Sequence, residues 1–317
     1  MSYILLVVGF ALLIKGADWF VDGASKIAKI LRISPLLIGL TIVAFGTSSP
    51  EATVSILAAL DGSAEVSLGN VIGSNIFNIT LVVGLTALIN PLKVESETIR
   101  KEIPFTLLGS TVLLILISDV VLQGLTENLI TRSDGLIFLL FFSIFMYYIF
   151  EVARNSRDKL EVQDESEKAK WGKNSIRTVI GLGAIIFGGE LVVRNSTEIA
   201  VSLGMSETLV GLTIIAIGTS LPELVTSIMA AIKKQSEIAL GNIVGSNIFN
   251  IFFVLGTSSL ITPLPVNGKV FVDIALMLIL TVILLIFSRT NYRIGKKEGS
   301  FLAVAYVLYL VFIIIRN

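Results

Sequence analysis

The chain has 317 residues, of which 54% are hydrophobic and only 15% charged, and its mean hydropathy is +0.89. That composition excludes an ordinary soluble domain, and equal totals of 24 basic and 24 acidic residues give no excess of positive charge for nucleic acid. With no cysteine and no histidine, disulfides, thiolate or imidazole metal sites, and haem or iron–sulfur ligation are excluded, so any bound metal must be held by oxygen.

Apolar runs of about 20 residues, enough to cross roughly 30 Å of hydrocarbon, recur along the chain. In chain order they are Tyr3 to Val21, Ile33 to Leu60, Val66 to Ile89, Pro104 to Leu122 and Gly135 to Phe150, then Ile176 to Val193, Leu209 to Ile232, Ile238 to Ile261, Val270 to Phe287 and Phe301 to Ile315. The first run lacks a basic leader and a small-residue cleavage site, so it reads as a retained span. These ten runs predict an all-α membrane protein of ten transmembrane helices.

Connections between ten spans alternate faces, and the basic residues divide unequally. One face collects Lys26, Lys29, Arg32, Lys93, Arg100, Lys101, the seven basic residues from Arg154 to Arg177, Lys233, Lys234, Arg289, Arg293, Lys296 and Lys297. The other holds Arg132, Arg194, Lys269 and Arg316. The positive-inside rule makes the first face cytoplasmic and both termini external, in a multi-pass protein of the cell (inner) membrane. The charged stretch after the fifth span reads as a cytoplasmic linker, 153–174, between segments 1–152 and 175–317.

Those segments repeat each other. Residues 39–51, GLTIVAFGTSSPE, match 211–223, GLTIIAIGTSLPE, and residues 68–79, LGNVIGSNIFNI, match 240–251, LGNIVGSNIFNI. Held ungapped from Ser34/Ser206 to Pro91/Pro263, the register gives about 32 identities in 58 positions. An odd number of spans per half makes the second copy start on the opposite face, so the expected architecture is two inverted-topology five-helix repeats, as in secondary transporters that bind substrate near the midplane.

The strongest self-similarity lies inside apolar runs yet consists of Gly, Thr, Ser, Pro, Asn and Glu. Glu51 and Glu223 stand mid-run, where an ionisable group requires a cavity or a partner. Pro50 and Pro222 break the helices that carry them, and the carbonyl near Gly46 or Gly218 is expected to be released toward a polar cavity or an ion. Ser74 and Asn78 share a helix face, as do Ser246 and Asn250. Asn70, Asn75, Asn242 and Asn247 read instead as polar glue between helices. Carboxylates, amides, hydroxyls and carbonyls together suit a hard cation, calcium or sodium. Two glutamates balance one divalent ion, whereas a single monovalent ion leaves negative charge in low dielectric.

GTSSPE and GTSLPE, each followed by GNxxGSNIFN, resemble the paired repeats of the calcium/cation antiporter superfamily, especially its prokaryotic sodium/calcium exchanger branch. The resemblance covers both halves. It implies alternating access, with helices 2, 3, 7 and 8 forming the ion-binding core and helices 1 and 6 sliding across it. It also implies ion ligands at Ala44 (carbonyl), Thr47, Ser48, Glu51, Ser74 and Asn78, and at Ala216 (carbonyl), Thr219, Ser220, Glu223, Ser246 and Asn250. Archaeal-type exchangers resemble an aspartate at the last of these positions, where this chain has Asn250. The implied function is electrogenic exchange of calcium for sodium by a carrier that works as a monomer, with those ions as its partners and no cofactor. Calcium/proton exchange and a cation channel are the alternatives. No nucleotide-binding P-loop, zinc-protease or serine-hydrolase signature is present, so no enzyme is expected.

Overall fold

The computed structural model of the chain describes residues 1–157, 171–205, 214, 216–290 and 292–316. Residues 158–170, which form most of the linker, residues 206–213 and 215, Asn291 and Asn317 lie outside the described residues.

Helix α1 (Ser2–Leu31) ends at Arg32, whose left-handed backbone (φ 56°) returns its N–H to the carbonyls of Ala28 and Lys29. The next apolar run is not one straight helix. Ser34 caps α2 (Pro35–Thr47) by accepting from Leu37 N at 3.3 Å, with Pro35 in the first turn where no N–H is needed. Ser48 then leaves helical geometry (φ −82°, ψ 6°), and α3 (Ser49–Leu60) departs at 48° to α2. The sequence placed a break at Gly46–Pro50, and the bend falls there. Ser34→Ala is expected to cost about 1 kcal/mol, read as a small fall in the thermal midpoint of the purified protein with transport retained.

Long helices follow: α4 (Glu65–Ile89), α5 (Glu102–Leu116), α6 (Arg132–Arg157) and α7 (Trp171–Ser202), then α8 (Leu221–Ile232), α9 (Ser236–Ile261), α10 (Gly268–Arg289) and α11 (Lys296–Arg316). Among the described residues seven helices are long and apolar enough to cross a membrane, and the bent α2–α3 pair brings the number to eight. The expected ten exceed this for identifiable reasons. At 1.5 Å per residue, the 15 residues of α5 fall short of the hydrocarbon thickness, and α8 has 12 residues preceded by a stretch outside the described set. Short two-residue strands join the connecting loops: Leu92–Lys93 pairs antiparallel with Arg293–Ile294, and Leu129–Ile130 with Leu264–Pro265. Each ladder takes one strand from each half.

Burial separates core from periphery. The spans α4 and α9 are 72% and 94% buried within the chain, whereas α6 is 17% buried and presents its apolar side chains outward, as a lipid-facing helix does. The core helices approach closely where side chains are absent: a Cβ on Gly241 of α9 would lie 2.6 Å from the Leu36 carbonyl of α2. The same device joins α1 to α7, which run antiparallel with Ser2 donating to Glu198. There a Cβ on Gly16 would lie 2.8 Å from the Gly181 carbonyl. Small residues permit this backbone approach in a membrane, where apolar side chains gain little by leaving lipid.

Candidate ion-binding site

Both prolines that break the helices set a glutamate in the first turn of the piece that follows. Glu51 enters at the start of α3 and Glu223 at the start of α8, and both are completely buried. The carbonyl that Pro50 would leave without a partner does not stay free. Ser49 Oγ donates to Gly46 O at 2.8 Å, so the released acceptor is satisfied within the break itself. The Ala44 carbonyl likewise accepts from Ser48 N at 2.9 Å, with Thr47 Oγ1 3.3 Å away.

The side-chain hydrogen bonds run between the halves and are made twice. Ser48 Oγ donates to Glu223 Oε1 at 2.7 Å, and Ser220 Oγ donates to Glu51 Oε1 at 2.9 Å and lies 3.0 Å from Ser74 Oγ. Thr47 Oγ1 donates to Asn242 Oδ1 at 3.0 Å, and Thr219 Oγ1 donates to Asn70 Oδ1 at 3.3 Å. Asn78 Nδ2 donates to Asn247 Oδ1 at 3.2 Å, and Asn250 Nδ2 to Asn75 Oδ1 at 3.4 Å. Except for the Ser220–Ser74 contact, each bond has its counterpart with the roles of the two halves exchanged. The asparagines that read as helix glue thus brace the residues beside the glutamates.

Asn70 and Asn242 do more than the sequence indicated. Asn242 Nδ2 donates to the Glu223 carbonyl at 3.3 Å and to Ser227 Oγ at 3.0 Å, while Asn70 Nδ2 reaches the Glu51 carbonyl at 3.3 Å and Ser55 Oγ at 2.9 Å. Ser55 and Ser227 escaped the sequence reading. Their signal was present, since both stand four residues after the glutamate and match in the repeat register.

What remains unpaired is informative. Glu51 Oε2, Glu223 Oε2, Asn78 Oδ1, Asn250 Oδ1 and Ser246 Oγ are buried oxygens without a hydrogen-bond partner among the described residues. Buried polar atoms in native structures are normally satisfied, and four of these five belong to side chains at the helix breaks or in π-turns, with Ser246 one turn before the π-turn of α9. Asn78 opens the π-turn Asn78–Val82 and Asn250 lies in its counterpart Phe249–Val254. Such single π-turns mark functional sites in helices because they redirect side chains without ending the helix. Among the described residues no three Asp, Glu, His or Cys side chains cluster. The arrangement is therefore two carboxylates among neutral oxygens, a donor set for hard cations.

The family model for sodium/calcium exchanger proteins matches residues 1–151 and 175–315. The chain belongs to the sodium/calcium exchanger family. This exchanger-family chain is 41% identical over 319 residues to the putative antiporter CaxA of Alkalimonas amylolytica, covering 96% of each. It is 34% identical to the sodium/calcium exchanger MaX1 of Methanosarcina acetivorans, covering 98% of this chain and 97% of that one. The inner membrane protein YrbG of Escherichia coli is 38% identical, with 96% and 94% covered. A solved structure of the sodium-calcium exchanger NCX_Mj, soaked with 10 mM sodium and no calcium, superposes with a TM-score of 0.85 at 31% identity and 98% coverage of both chains. The exchanger-family chain is accordingly an integral multi-pass membrane protein and a cation antiporter of the calcium/cation class. It is a transporter and not an enzyme.

Proposed function

We propose that the protein exchanges calcium for sodium by alternating access, using the oxygens around Glu51 and Glu223 as a common site for both ions. The supporting observation is the set of buried, unpartnered oxygens that both repeats contribute, with the glutamate and the asparagine at matching positions in each. An empty site leaves carboxylate oxygens buried and unpaired, which is costly. Loading with one calcium, or with sodium ions, removes that cost, so the conformational change is favoured only in loaded states. In this reading the ligands are Glu51, Glu223, Ser48, Ser220, Thr47, Thr219, Ser74, Ser246, Asn78 and Asn250, with the carbonyls of Ala44 and Ala216. The asparagines at 70, 75, 242 and 247 hold them in place.

The proposed architecture is ten membrane-spanning helices in two inverted repeats, 1–152 and 175–317, joined by a cytoplasmic linker, 153–174, in a monomer of the inner membrane. The deciding experiment is calcium uptake into proteoliposomes under an imposed sodium gradient, with a proton gradient as the control arm. Uptake driven by protons and indifferent to sodium assigns the counter-ion to protons.

Two glutamates balance one calcium, so a sodium load greater than two moves net positive charge against it. Calcium uptake driven by sodium leaving the vesicle is then expected to accelerate at inside-positive potential and slow at inside-negative potential. Equal initial rates at both clamped potentials would show electroneutral exchange.

The orientation has its own test. Because the chain has no cysteine, single reporters are unambiguous. In intact cells Asp164→Cys in the linker is expected to resist an impermeant thiol reagent while Asn317→Cys is labelled. The reverse pattern inverts the orientation, and labelling of both contradicts an odd number of spans between the linker and the C-terminus.

A further inference from the structure

The repeat register, an offset of 172, continues beyond the motifs. Arg32 and Gly204 both occupy the left-handed region where their helices end (φ 56° and 89°), and so do Gly62 and Lys234 (φ 76° and 58°). In that register Asp18 of α1 corresponds to Glu190 of α7, and Lys233, just after α8, corresponds to Asp61, just after α3. The two pairs are equivalent in place and opposite in electrostatic sense.

At the end of the molecule nearest the linker, Lys233 Nζ lies 2.6 Å from Asp18 Oδ1 and donates to the Asp18 carbonyl at 2.9 Å. This ties α1 to the C-terminus of a helix that carries a site glutamate, where a cation is also favoured by the helix dipole. Asp22, one turn further along α1, lies 2.5 Å from Arg177 and 2.9 Å from Lys26. Those contacts stay within the α1–α7 pair and bind it into one body.

At the opposite end the corresponding residues are two acids. Among the described residues neither Glu190 nor Asp61 takes part in an ion pair, and Asp61 is exposed. Glu190 instead lines a cavity of about 590 Å³ between α3, α7 and α8, which reaches Pro50, Thr219 and Pro222 beside the site.

We propose that Asp18 and Lys233 form a one-sided latch. It holds α1 closed against the site helices at the linker end, while at the other end the like-charged Glu190 and Asp61 cannot form its counterpart and Arg194, which lines the same cavity, makes no ion pair among the described residues. The two access states, which a perfect repeat would make equal in energy, are thereby unequal, and the state open away from the linker is favoured. This rests on the alternating-access reading.

Partly exposed ion pairs contribute modestly, and the side chains here are 25% and 32% exposed, so the expected bias is about two- to fivefold in the ratio of states. The test uses the full-length carrier in proteoliposomes with one reporter, Val193→Cys, in the cavity wall. The measurement is its labelling rate by an impermeant maleimide applied from the face opposite the linker. Asp18→Asn and Lys233→Gln are each expected to lower that rate by about a quarter to two fifths, because the open fraction falls from about two thirds or five sixths to one half. The exchanged pair, Asp18→Lys with Lys233→Asp, restores it. Asp61→Lys, on an exposed turn and so informative even where the α1 variants fail to insert, installs an attraction to Glu190 and lowers the rate as well. Labelling in the parent reporter that ignores sodium and calcium overturns alternating access. Labelling that responds to the ions but is equal in parent and variants overturns the latch alone. An exchanged pair that stays slow overturns the ion pair as the cause.

Discussion

Glu51→Gln and Glu223→Gln are each expected to abolish sodium-driven calcium uptake while the protein still inserts and purifies. Both carboxylates are completely buried, and each accepts a hydroxyl on one oxygen and leaves the other without a partner. Replacing either with an amide keeps the shape and the hydrogen-bond acceptor but removes half of the charge that balances a divalent ion in a low-dielectric interior, where an uncancelled charge is expensive. A loss of at least a hundredfold in initial rate follows if that charge is worth about 3 kcal/mol. Near-parental uptake by either variant would show that the calcium path lies elsewhere. Parallel loss in both, with unchanged elution and thermal profiles, separates ion binding from folding.

Asn242→Ala has the next largest effect. One side chain accepts from Thr47 and donates to the Glu223 carbonyl and to Ser227, so its loss frees the hydroxyl of a ligand from one half and the backbone under the glutamate of the other. Residues that orient ligands in this way typically contribute ten- to a hundredfold in metal affinity, and a comparable rise in the calcium concentration for half-maximal uptake is expected. Maximal rate should fall far less than in the glutamate variants. Asn70→Ala is the matched comparison, because Asn70 makes the corresponding bonds to Glu51 and Ser55. An unchanged calcium dependence in both would reduce these amides to packing.

Much of this was legible in the sequence because the signals are local. Apolar runs announce the helices, Pro50 and Pro222 announce the breaks, and a glutamate in the middle of an apolar run announces a polar interior. The family assignment stands on the same motifs. Contacts between distant segments were not legible. Nothing in the spacing of GTSSPE says that Ser48 will serve Glu223 and not Glu51, because that choice depends on how α3 and α8 pass each other. The same limit explains the reading of Asn70 and Asn242 as glue, since an amide's partners are set by the facing helix. At Gly46 the local rule was right that proline releases a carbonyl, and it missed the adjacent Ser49 hydroxyl that takes it up. Hydropathy sums polarity along the chain and gives ten apolar runs, but it does not say where helical geometry stops, as it does in α5 after Leu116.

The exchange of hydroxyls between halves bears on the protein's ancestry. Glu51 receives its donor from Ser220, and Glu223 from Ser48, so a single half on its own would bury a carboxylate without the group that serves it. An unfused precursor could assemble this constellation only with a second copy of itself. Joining two such copies in one chain makes the encounter of each carboxylate with its donor certain.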